Sequence, residues 1–126
     1  FRYGYKGLDP RNKLDPMVLA HARIDDIHRD GGTVLGTSRG PVDVSAAVDN
    51  LIKQKINILF TIGGDGTQKG GYELFKEAQR LSYQLAVVGI PKTIDNDVWG
   101  TDITFGFDSA LLIATDAIDR LQGVSF

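Results

Sequence analysis

Cysteine is absent from this sequence of 126 residues, and tryptophan and methionine occur once each. Without cysteine the chain can form no disulfide, no thiolate metal site and no cysteine nucleophile, a composition that is typical of a reducing compartment. No apolar run approaches the ~20 residues that a membrane-spanning helix requires. The net charge of -2, without Arg/Lys clusters between aromatic residues, argues against nucleic acid as a partner. We therefore predict a cytoplasmic protein that binds neither membrane nor nucleic acid.

Glycine, in contrast, is abundant, with 15 residues, and it is concentrated where one apolar run ends. The run "INILF" leads into "TIGGDGT", and the run "LAVVGI" leads into "PKTIDND". We refer to residues 63–67 as the GGDGT loop and to residues 91–97 as the PKTIDND loop. Because glycine costs conformational entropy on folding, its concentration in the GGDGT loop indicates positive φ angles or the close approach of a ligand.

Helical and strand patterns alternate along the chain. Uniformly apolar runs are typical of strands that are buried on both faces, and they predict strands at "TVLG" (33–36), "INILFTI" (56–62) and "LAVVGI" (85–90). Helical spacing of apolar residues predicts four helices. The first runs from Pro16 through Ile27 and stops at Gly31, and the second begins at a cap formed by Asp43 or Ser45. The third runs from Thr67 to about Leu81, with Tyr72, Phe75 and Ala78 on one face. The fourth covers "SALLIATDAIDRLQ" (109–122) and starts at Asp108 or Ser109.

This alternation predicts an α/β fold, a Rossmann-like three-layer αβα arrangement around a mostly parallel sheet. We expect residues 1–126 to form part of one nucleotide- and phosphate-binding domain. Parallel strands that are joined by crossovers present their strand-to-helix loops at one edge of the sheet. The segment "GTSRG" (36–40), the GGDGT loop and the PKTIDND loop are therefore expected to face one crevice.

The GGDGT loop has the composition of a phosphate site. Its glycines allow backbone N–H groups to approach a phosphate, and the positive end of the following helix favours an anion. Asp65 would repel that anion unless a hard cation stood between them, so the loop predicts Mg²⁺, which proteins hold with one or two carboxylates and the phosphates of the substrate. The alternative is a tight strand-to-helix turn in which Asp65 caps the helix.

The PKTIDND loop places two carboxylates on either side of Asn96. One of the pair Asp95 and Asp97 can accept a proton from an attacking hydroxyl while the other helps to hold the metal. Phosphoryl transfer needs this division, because it depends on positioning, charge neutralisation and an oriented nucleophile. The alternative is an Asx turn with capping carboxylates, since Asp and Asn are common turn residues.

Two basic residues lie in the segments that are expected to face this crevice. Arg39, in "GTSRG", can bridge phosphates with both arms of its guanidinium group, and Lys92 supplies a point charge beside the carboxylates. Either residue could instead be a solvated surface charge.

Three segments together resemble the phosphofructokinase family: "GGTVLGTSRGP", "NILFTIGGDGTQKGG" and "VVGIPKTIDNDVWGTDITFGFDSA". The resemblance covers essentially the whole chain, and the combination of "GGDGT" with "PKTIDND" in this order is highly specific. It implies transfer of a phosphoryl group to the 1-hydroxyl of fructose 6-phosphate, which gives fructose 1,6-bisphosphate in glycolysis. It also implies an allosteric homo-oligomer, a dimer or a tetramer.

The resemblance further implies roles for single residues. Asp95 would be the base for the sugar hydroxyl, and Thr93 would contact the sugar phosphate near the reacting centre. Lys92 would lie beside the transferring phosphate, and Asp65 and Asp97 would be the carboxylates associated with magnesium.

On the donor side, Arg39 would bridge to the phosphates of the donor. The donor loop itself would consist of Gly63, Gly64, Gly66 and Thr67, together with Asp65. Lys92 resembles the pyrophosphate-using members of the family, whereas Gly66 resembles the ATP users, because an aspartate tends to follow the magnesium carboxylate in pyrophosphate users. A carboxylate there would repel the α-phosphate of a nucleotide, so we predict ATP as the donor and keep pyrophosphate as the alternative.

Several other readings remain open. The first glycine-rich phosphate loop and the second domain of the family are absent, so the chain resembles an internal fragment that we expect to be inactive alone. NAD kinases and diacylglycerol-type kinases also use "GGDGT", but we would not expect "PKTIDND" in them. A non-catalytic regulatory subunit would be expected to lack Asp65 or Asp95, and a redox Rossmann domain would be expected to carry a GxGxxG motif.

Overall fold

The computed structural model describes residue 1 and the ranges 4–14, 16–20 and 24–123. Its helices are α1 (Tyr5–Leu8), α2 (Val44–Lys53), α3 (Asp65–Arg80) and α4 (Phe107–Gln122), with 3₁₀ turns at Pro10–Asn12 and Ile27–Arg29. Its strands are β1 (Ile58–Gly63) and β2 (Ala86–Pro91). The chain divides into two compact units, which consist of Phe1–Asn57 with Leu74–Leu85, and of Ile58–Glu73 with Ala86–Phe126. The extent of the predicted domain is not tested by this division.

The core of the first unit includes the apolar stripe of α2. The carboxylate of Asp43 accepts a 3.0 Å hydrogen bond from the N–H of Ala46, so the predicted N-cap at Asp43 is confirmed. The Asn50 side chain donates to the carbonyl oxygen of Leu8 at 2.8 Å and so joins α2 to the end of α1. The buried apolar residues of this unit are Leu8, Ala47, Val48, Leu51, Leu74, Ala78 and Leu85.

The second unit contains the sheet. Strands β1 and β2 are parallel, and their register runs from Ile58 opposite Ala86 to Gly63 opposite Pro91. The predicted strands at 56–62 and 85–90 and their parallel pairing are therefore confirmed. Burial of both faces is not observed, because Ile58, Phe60 and Ile62 are each more than half exposed. Alternate side chains of a strand point to opposite faces, and the described residues leave one face of β1 open.

Two predicted elements differ in the described residues: no helix is present at residues 16–20, and a turn replaces the strand at 33–36. Residues 16–20 adopt no regular structure, and residues 21–23 of the predicted helix lie outside the described ranges. Val18 is 85% exposed, so this segment buries no continuous apolar stripe to stabilise a helix. At "TVLG" the chain turns instead of extending, since the N–H of Gly36 donates to the carbonyl oxygen of Thr33. The turn satisfies these backbone groups locally, without the neighbouring strand that an extended segment would need.

The last two helices differ from their predictions at one end and on one face. Helix α3 begins at Asp65, before Thr67, and it buries Leu74 and Ala78, whereas Tyr72 is 60% exposed. Helix α4 begins after Gly106, whose φ of 104° makes it the N-cap without a side-chain hydrogen bond. The helix therefore begins one residue before Asp108 and two before Ser109, the predicted starts, because a left-handed glycine and not a polar side chain caps it. No helix in the described ranges is long and apolar enough to cross a membrane.

Candidate functional site

The GGDGT and PKTIDND loops lie side by side in the second unit. They follow β1 and β2, whose last residues, Gly63 and Pro91, are paired in register. The N–H of Lys92 donates a 2.9 Å hydrogen bond to the carbonyl oxygen of Gly63. A Cβ atom on Gly64 would lie 3.9 Å from both the carbonyl oxygen of Lys92 and the Cβ of Thr93. The predicted adjacency of these two loops is confirmed, and the place of the "GTSRG" segment beside them stays a prediction.

The glycines of the GGDGT loop serve different purposes. None of the three has a positive φ, so the loop does not need glycine for a left-handed backbone. A Cβ on Gly63 would lie 2.3 Å from the hydroxyl oxygen of Thr67, which excludes any side chain there. A Cβ on Gly66 would have no heavy atom within 4 Å. Gly63 is therefore required by the packing of the turn, whereas Gly66 leaves open space at the start of α3.

The first turn of α3 gives the loop its electrostatic character. The N–H groups of Thr67 and Gln68 donate to the carbonyl oxygen of Gly64 at 2.9 and 3.1 Å. The N–H groups that precede them belong to the end of the helix where backbone donors have no intrahelical acceptor, and where the helix dipole favours negative charge. This end of the helix is suited to binding an anion.

Asp65, the first residue of α3, is accessible to cations. Its carboxylate is 55% exposed and forms a 2.7 Å ion pair with the ammonium group of Lys69 one turn later. The hydrogen bond to this carboxylate raises the pKa of Lys69. Because the carboxylate is more than half exposed, a cation from solvent can reach its oxygen atoms.

Thr93 and Asp95 form a closed pair at the start of the PKTIDND loop. The Thr93 hydroxyl donates to the Asp95 carboxylate at 3.3 Å and accepts a 3.1 Å hydrogen bond from the Asp95 N–H. Both side chains leave the loop at the end of β2, and Asp95 is exposed. Thr93 therefore orients a carboxylate that a solvent-borne substrate can reach.

Thr104, which the sequence analysis did not single out, is hydrogen-bonded to the backbone of Thr93. It is 3% exposed, and its hydroxyl donates to the carbonyl oxygen of Thr93 at 3.0 Å. Its N–H donates to the side-chain oxygen of Asn96 at 2.8 Å. Asn96 has a φ of 52°, but its side-chain oxygen accepts from Thr104 and not from the backbone two residues on, so the hydrogen bond of an Asx turn is not observed at this residue. The only sequence signal for Thr104 is its place before the glycine that starts α4.

Phe105 fixes the other edge of the loop. Its N–H donates to the carbonyl oxygen of Pro91 at 3.0 Å, and the N–H of Thr93 donates to its carbonyl oxygen at 3.1 Å. Lys92 thus lies between two hydrogen-bonded neighbours, with Gly63 on one side and Phe105 on the other. The backbone of the PKTIDND loop is held on both sides where it leaves β2.

Magnesium is compatible with the carboxylates of these loops. Within the described ranges no three acidic, histidine or cysteine side chains converge on a point that could hold a metal. Mg²⁺ does not require such a cage, because it usually keeps several waters and takes one or two carboxylates with the phosphates of a substrate. Asp65 and Asp97 are both exposed and carry oxygen atoms of this kind.

Comparison with known proteins gives a consistent result. The family model "Phosphofructokinase" matches residues 1–125. The chain is 50% identical over 118 residues to an ATP-dependent 6-phosphofructokinase of Trypanosoma cruzi, a match that covers 94% of this chain and 24% of that protein. Curated relatives in this group are matched over about a quarter of their length.

Solved structures show the same fold. The chain superposes on Pichia pastoris phosphofructokinase in the T-state with a TM-score of 0.85 and 27% identity, over 98% of this chain and 15% of that one. A pyrophosphate-dependent phosphofructokinase from Marinobacter aquaeolei gives a TM-score of 0.74 and 25% identity, over 94% of this chain and 31% of that one. The predicted α/β, Rossmann-like fold is confirmed. Because a pyrophosphate-dependent enzyme shares it, the fold alone does not assign ATP as the donor.

Proposed function

The chain belongs to the phosphofructokinase family, and on this premise we propose that the protein containing it is an ATP-dependent 6-phosphofructokinase. It transfers the γ-phosphoryl group of MgATP to the 1-hydroxyl of fructose 6-phosphate and gives fructose 1,6-bisphosphate, a step of glycolysis. The supporting relatives named ATP-dependent 6-phosphofructokinase share up to 50% of the residues over most of this chain.

The observation that carries the proposal is the 2.9 Å hydrogen bond from the Lys92 N–H to the carbonyl oxygen of Gly63. It joins a loop suited to phosphate with a loop that carries an exposed, oriented carboxylate. Phosphoryl transfer requires the two substrates to be held in line at close range, and this juxtaposition supplies a pair of adjacent binding loops.

We assign the acid–base work to the PKTIDND loop. Asp95 accepts the proton of the 1-hydroxyl as that oxygen attacks the phosphoryl group, and general base catalysis of this kind contributes roughly 10²–10⁴-fold. Thr93 keeps the carboxylate oriented through the hydroxyl bond of 3.3 Å and contacts the sugar phosphate. Lys92 places a compact positive charge beside the transferring group, which stabilises the charge that develops there.

The GGDGT loop binds the donor. Gly63, Gly64, Gly66 and Thr67 form its phosphate-binding backbone at the start of α3, and Arg39 bridges to the donor phosphates. Asp65 and Asp97 would hold Mg²⁺, which would neutralise charge on the donor phosphates when bound. The open space at Gly66 favours ATP, since a nucleotide needs room for its α-phosphate and pyrophosphate does not.

The remaining parts of the proposal concern the whole protein. We propose that it works as a homo-oligomer, a dimer or a tetramer, under allosteric control, and that it is located in the cytoplasm. Sedimentation of the full-length protein tests the oligomeric state, the dependence of the initial rate on substrate concentration tests allosteric control, and localisation in cells tests the cytoplasmic assignment.

The activity is tested with the full-length protein in an aldolase-coupled assay that contains fructose 6-phosphate and either ATP or pyrophosphate. We expect turnover with ATP far above turnover with pyrophosphate. Asp95→Asn should lower kcat by roughly 10²–10⁴-fold and leave the KM for fructose 6-phosphate nearly unchanged, because a base acts in the transition state. Asp102→Asn, an exposed carboxylate of the same segment, is the matched control and should keep normal turnover. Normal turnover of Asp95→Asn would remove Asp95 from the mechanism, and equal rates with both donors would contradict the assignment of ATP.

A further inference from the structure

The side chain of Gln68 links the ends of the two strands. Its amide nitrogen Nε2 donates to the carbonyl oxygen of Gly63 at 2.8 Å and to the carbonyl oxygen of Ile90 at 3.0 Å. Gly63 ends β1, and Ile90 is the next-to-last residue of β2. One amide group therefore spans the two strands at the point where each leads into a loop of the site.

The carbonyl oxygen of Gly63 is shared by two donors. It accepts from Gln68 Nε2 at 2.8 Å and from the backbone N–H of Lys92 at 2.9 Å. The first bond comes from the helix that follows the GGDGT loop, and the second comes from the PKTIDND loop. A carbonyl oxygen has two lone-pair directions, so both are used and the peptide plane after Gly63 is fixed from two sides.

The chain leaves room for this contact at one further position. A Cβ on Gly89 would lie 2.2 Å from the side-chain oxygen of Gln68. Gly89 has no positive φ, so its backbone would accept any residue, and the side chain is excluded only by the Gln68 amide. Glycine at this position is therefore compatible with the Gln68 amide, which a larger residue would displace.

We propose that Gln68 is a positioning residue that couples the GGDGT loop to the PKTIDND loop. This inference rests on the proposed function for its kinetic part. Gln68 touches no reacting atom; it holds the carbonyl oxygen to which the Lys92 N–H is anchored, and it thereby sets the spacing between the donor phosphates and the Asp95 carboxylate. A misplacement of about 1 Å between such groups can cost about 10²-fold in rate.

The test uses Gln68→Met in the full-length protein, because methionine keeps the length of the side chain and removes the amide donor. Gln79→Met, the same change at an exposed position of the same helix, is the matched control. We expect kcat to fall about 10- to 100-fold with the KM values for ATP and fructose 6-phosphate within about threefold, since positioning acts on the transition state. We also expect faster hydrogen exchange at the Lys92 amide, with the exchange of α2 amides unchanged.

Gly89→Ala gives an independent variant, because it displaces the Gln68 amide without removing it. We expect the same fall in kcat and the same local exchange at Lys92, so the test survives a failure of Gln68→Met to fold. Wild-type kcat and wild-type Lys92 exchange in both variants would overturn the proposal. A uniform rise in exchange across the chain would also overturn it, since that result would make Gln68 a general stabilising residue. If the unmodified protein lacks phosphofructokinase activity, the proposed function fails, while the exchange at Lys92 still decides whether Gln68 couples the loops.

Discussion

The backbone N–H of Thr104 donates a 2.8 Å hydrogen bond to the side-chain oxygen of Asn96. Asn96 lies between Asp95 and Asp97, and its φ of 52° places the two neighbouring carboxylates on a sharply turning backbone. The asparagine side chain is thus committed to structure while its acidic neighbours remain exposed. Of these three consecutive polar residues, Asn96 therefore holds the backbone of the loop, whereas Asp95 and Asp97 keep exposed carboxylates.

Thr104→Val tests the support beneath this turn. The buried hydroxyl would be lost, and the carbonyl oxygen of Thr93 would lose its 3.0 Å donor. An acceptor left unpaired in a buried place costs about 1–3 kcal/mol, so we expect a lower free energy of unfolding by that amount. Thr104→Ser keeps the hydroxyl and should retain most of the stability. The measurement is denaturant unfolding of the two variants. Equal stability of both would show that the hydroxyl does not contribute to the free energy of unfolding.

Thr61→Val should have the opposite effect. Thr61 is 7% exposed, and its hydroxyl oxygen has no hydrogen-bond partner among the described residues. Valine has nearly the same shape and removes the unpaired group, so we expect a gain of about 1 kcal/mol in the free energy of unfolding. Thr115→Val, on the exposed surface of α4, serves as the control and should change stability by less than about 0.5 kcal/mol. A clear loss of stability in Thr61→Val would contradict the unpaired state of the hydroxyl.

Asp9 predicts a pH dependence of stability in the first unit. Its side-chain hydrogen bonds with Arg11 lower the pKa of this carboxyl below the ordinary aspartate value of about 3.9. A carboxyl with a lowered pKa in the folded state stabilises the protein above its unfolded pKa, and this stabilisation is lost as the pH falls through the folded pKa. Asp9→Asn should therefore lower the melting temperature at neutral pH, and the difference from the unmodified protein should shrink below pH of about 3.9.

The control for that measurement is Asp30→Asn, which changes an exposed carboxylate of the same unit. It should lower the melting temperature much less than Asp9→Asn at neutral pH. A constant difference between Asp9→Asn and the unmodified protein from pH 7 to about pH 2 would refute the linkage to ionisation.

Gly66→Asp tests the choice of donor. The absence of neighbours around Gly66 and its ordinary φ allow an aspartate there without strain, so the variant probes charge and not folding. We expect kcat/KM for ATP to fall by more than tenfold, because a new carboxylate beside the donor phosphates repels them, while binding of fructose 6-phosphate changes little. Gly66→Asn, of equal size without the charge, is the control. Equal losses in the two variants would assign the effect to size and remove the electrostatic argument.

The sequence predicted the parts of the site that depend on local pattern. The strands before Gly63 and Pro91, the cap at Asp43 and the meeting of two loops at parallel strand ends all follow from periodicity, capping chemistry and the rules for crossovers. Residues 16–20 form no helix and residues 33–36 form a turn in place of a strand, since the stability of such elements depends on neighbours that a single sequence does not specify. Thr104 and Gln68 escaped notice for a related reason. Their importance lies in hydrogen bonds to backbone atoms, and a backbone atom has the same chemistry in every residue, so no residue type marks its position in advance.

Parallel pairing of β1 with β2 also determines when the site can form. A two-residue hairpin can join antiparallel strands, but parallel strands need a longer crossover, here the one that contains α3. About thirty residues separate Gly63 from Lys92, and they must be ordered before the Lys92 N–H can reach the carbonyl oxygen of Gly63. Closing a loop of that length costs conformational entropy, which contacts between sequence neighbours do not offset. We therefore expect the GGDGT loop and the PKTIDND loop to meet late in folding. During synthesis the GGDGT loop therefore has no partner loop until the PKTIDND loop has left the ribosome.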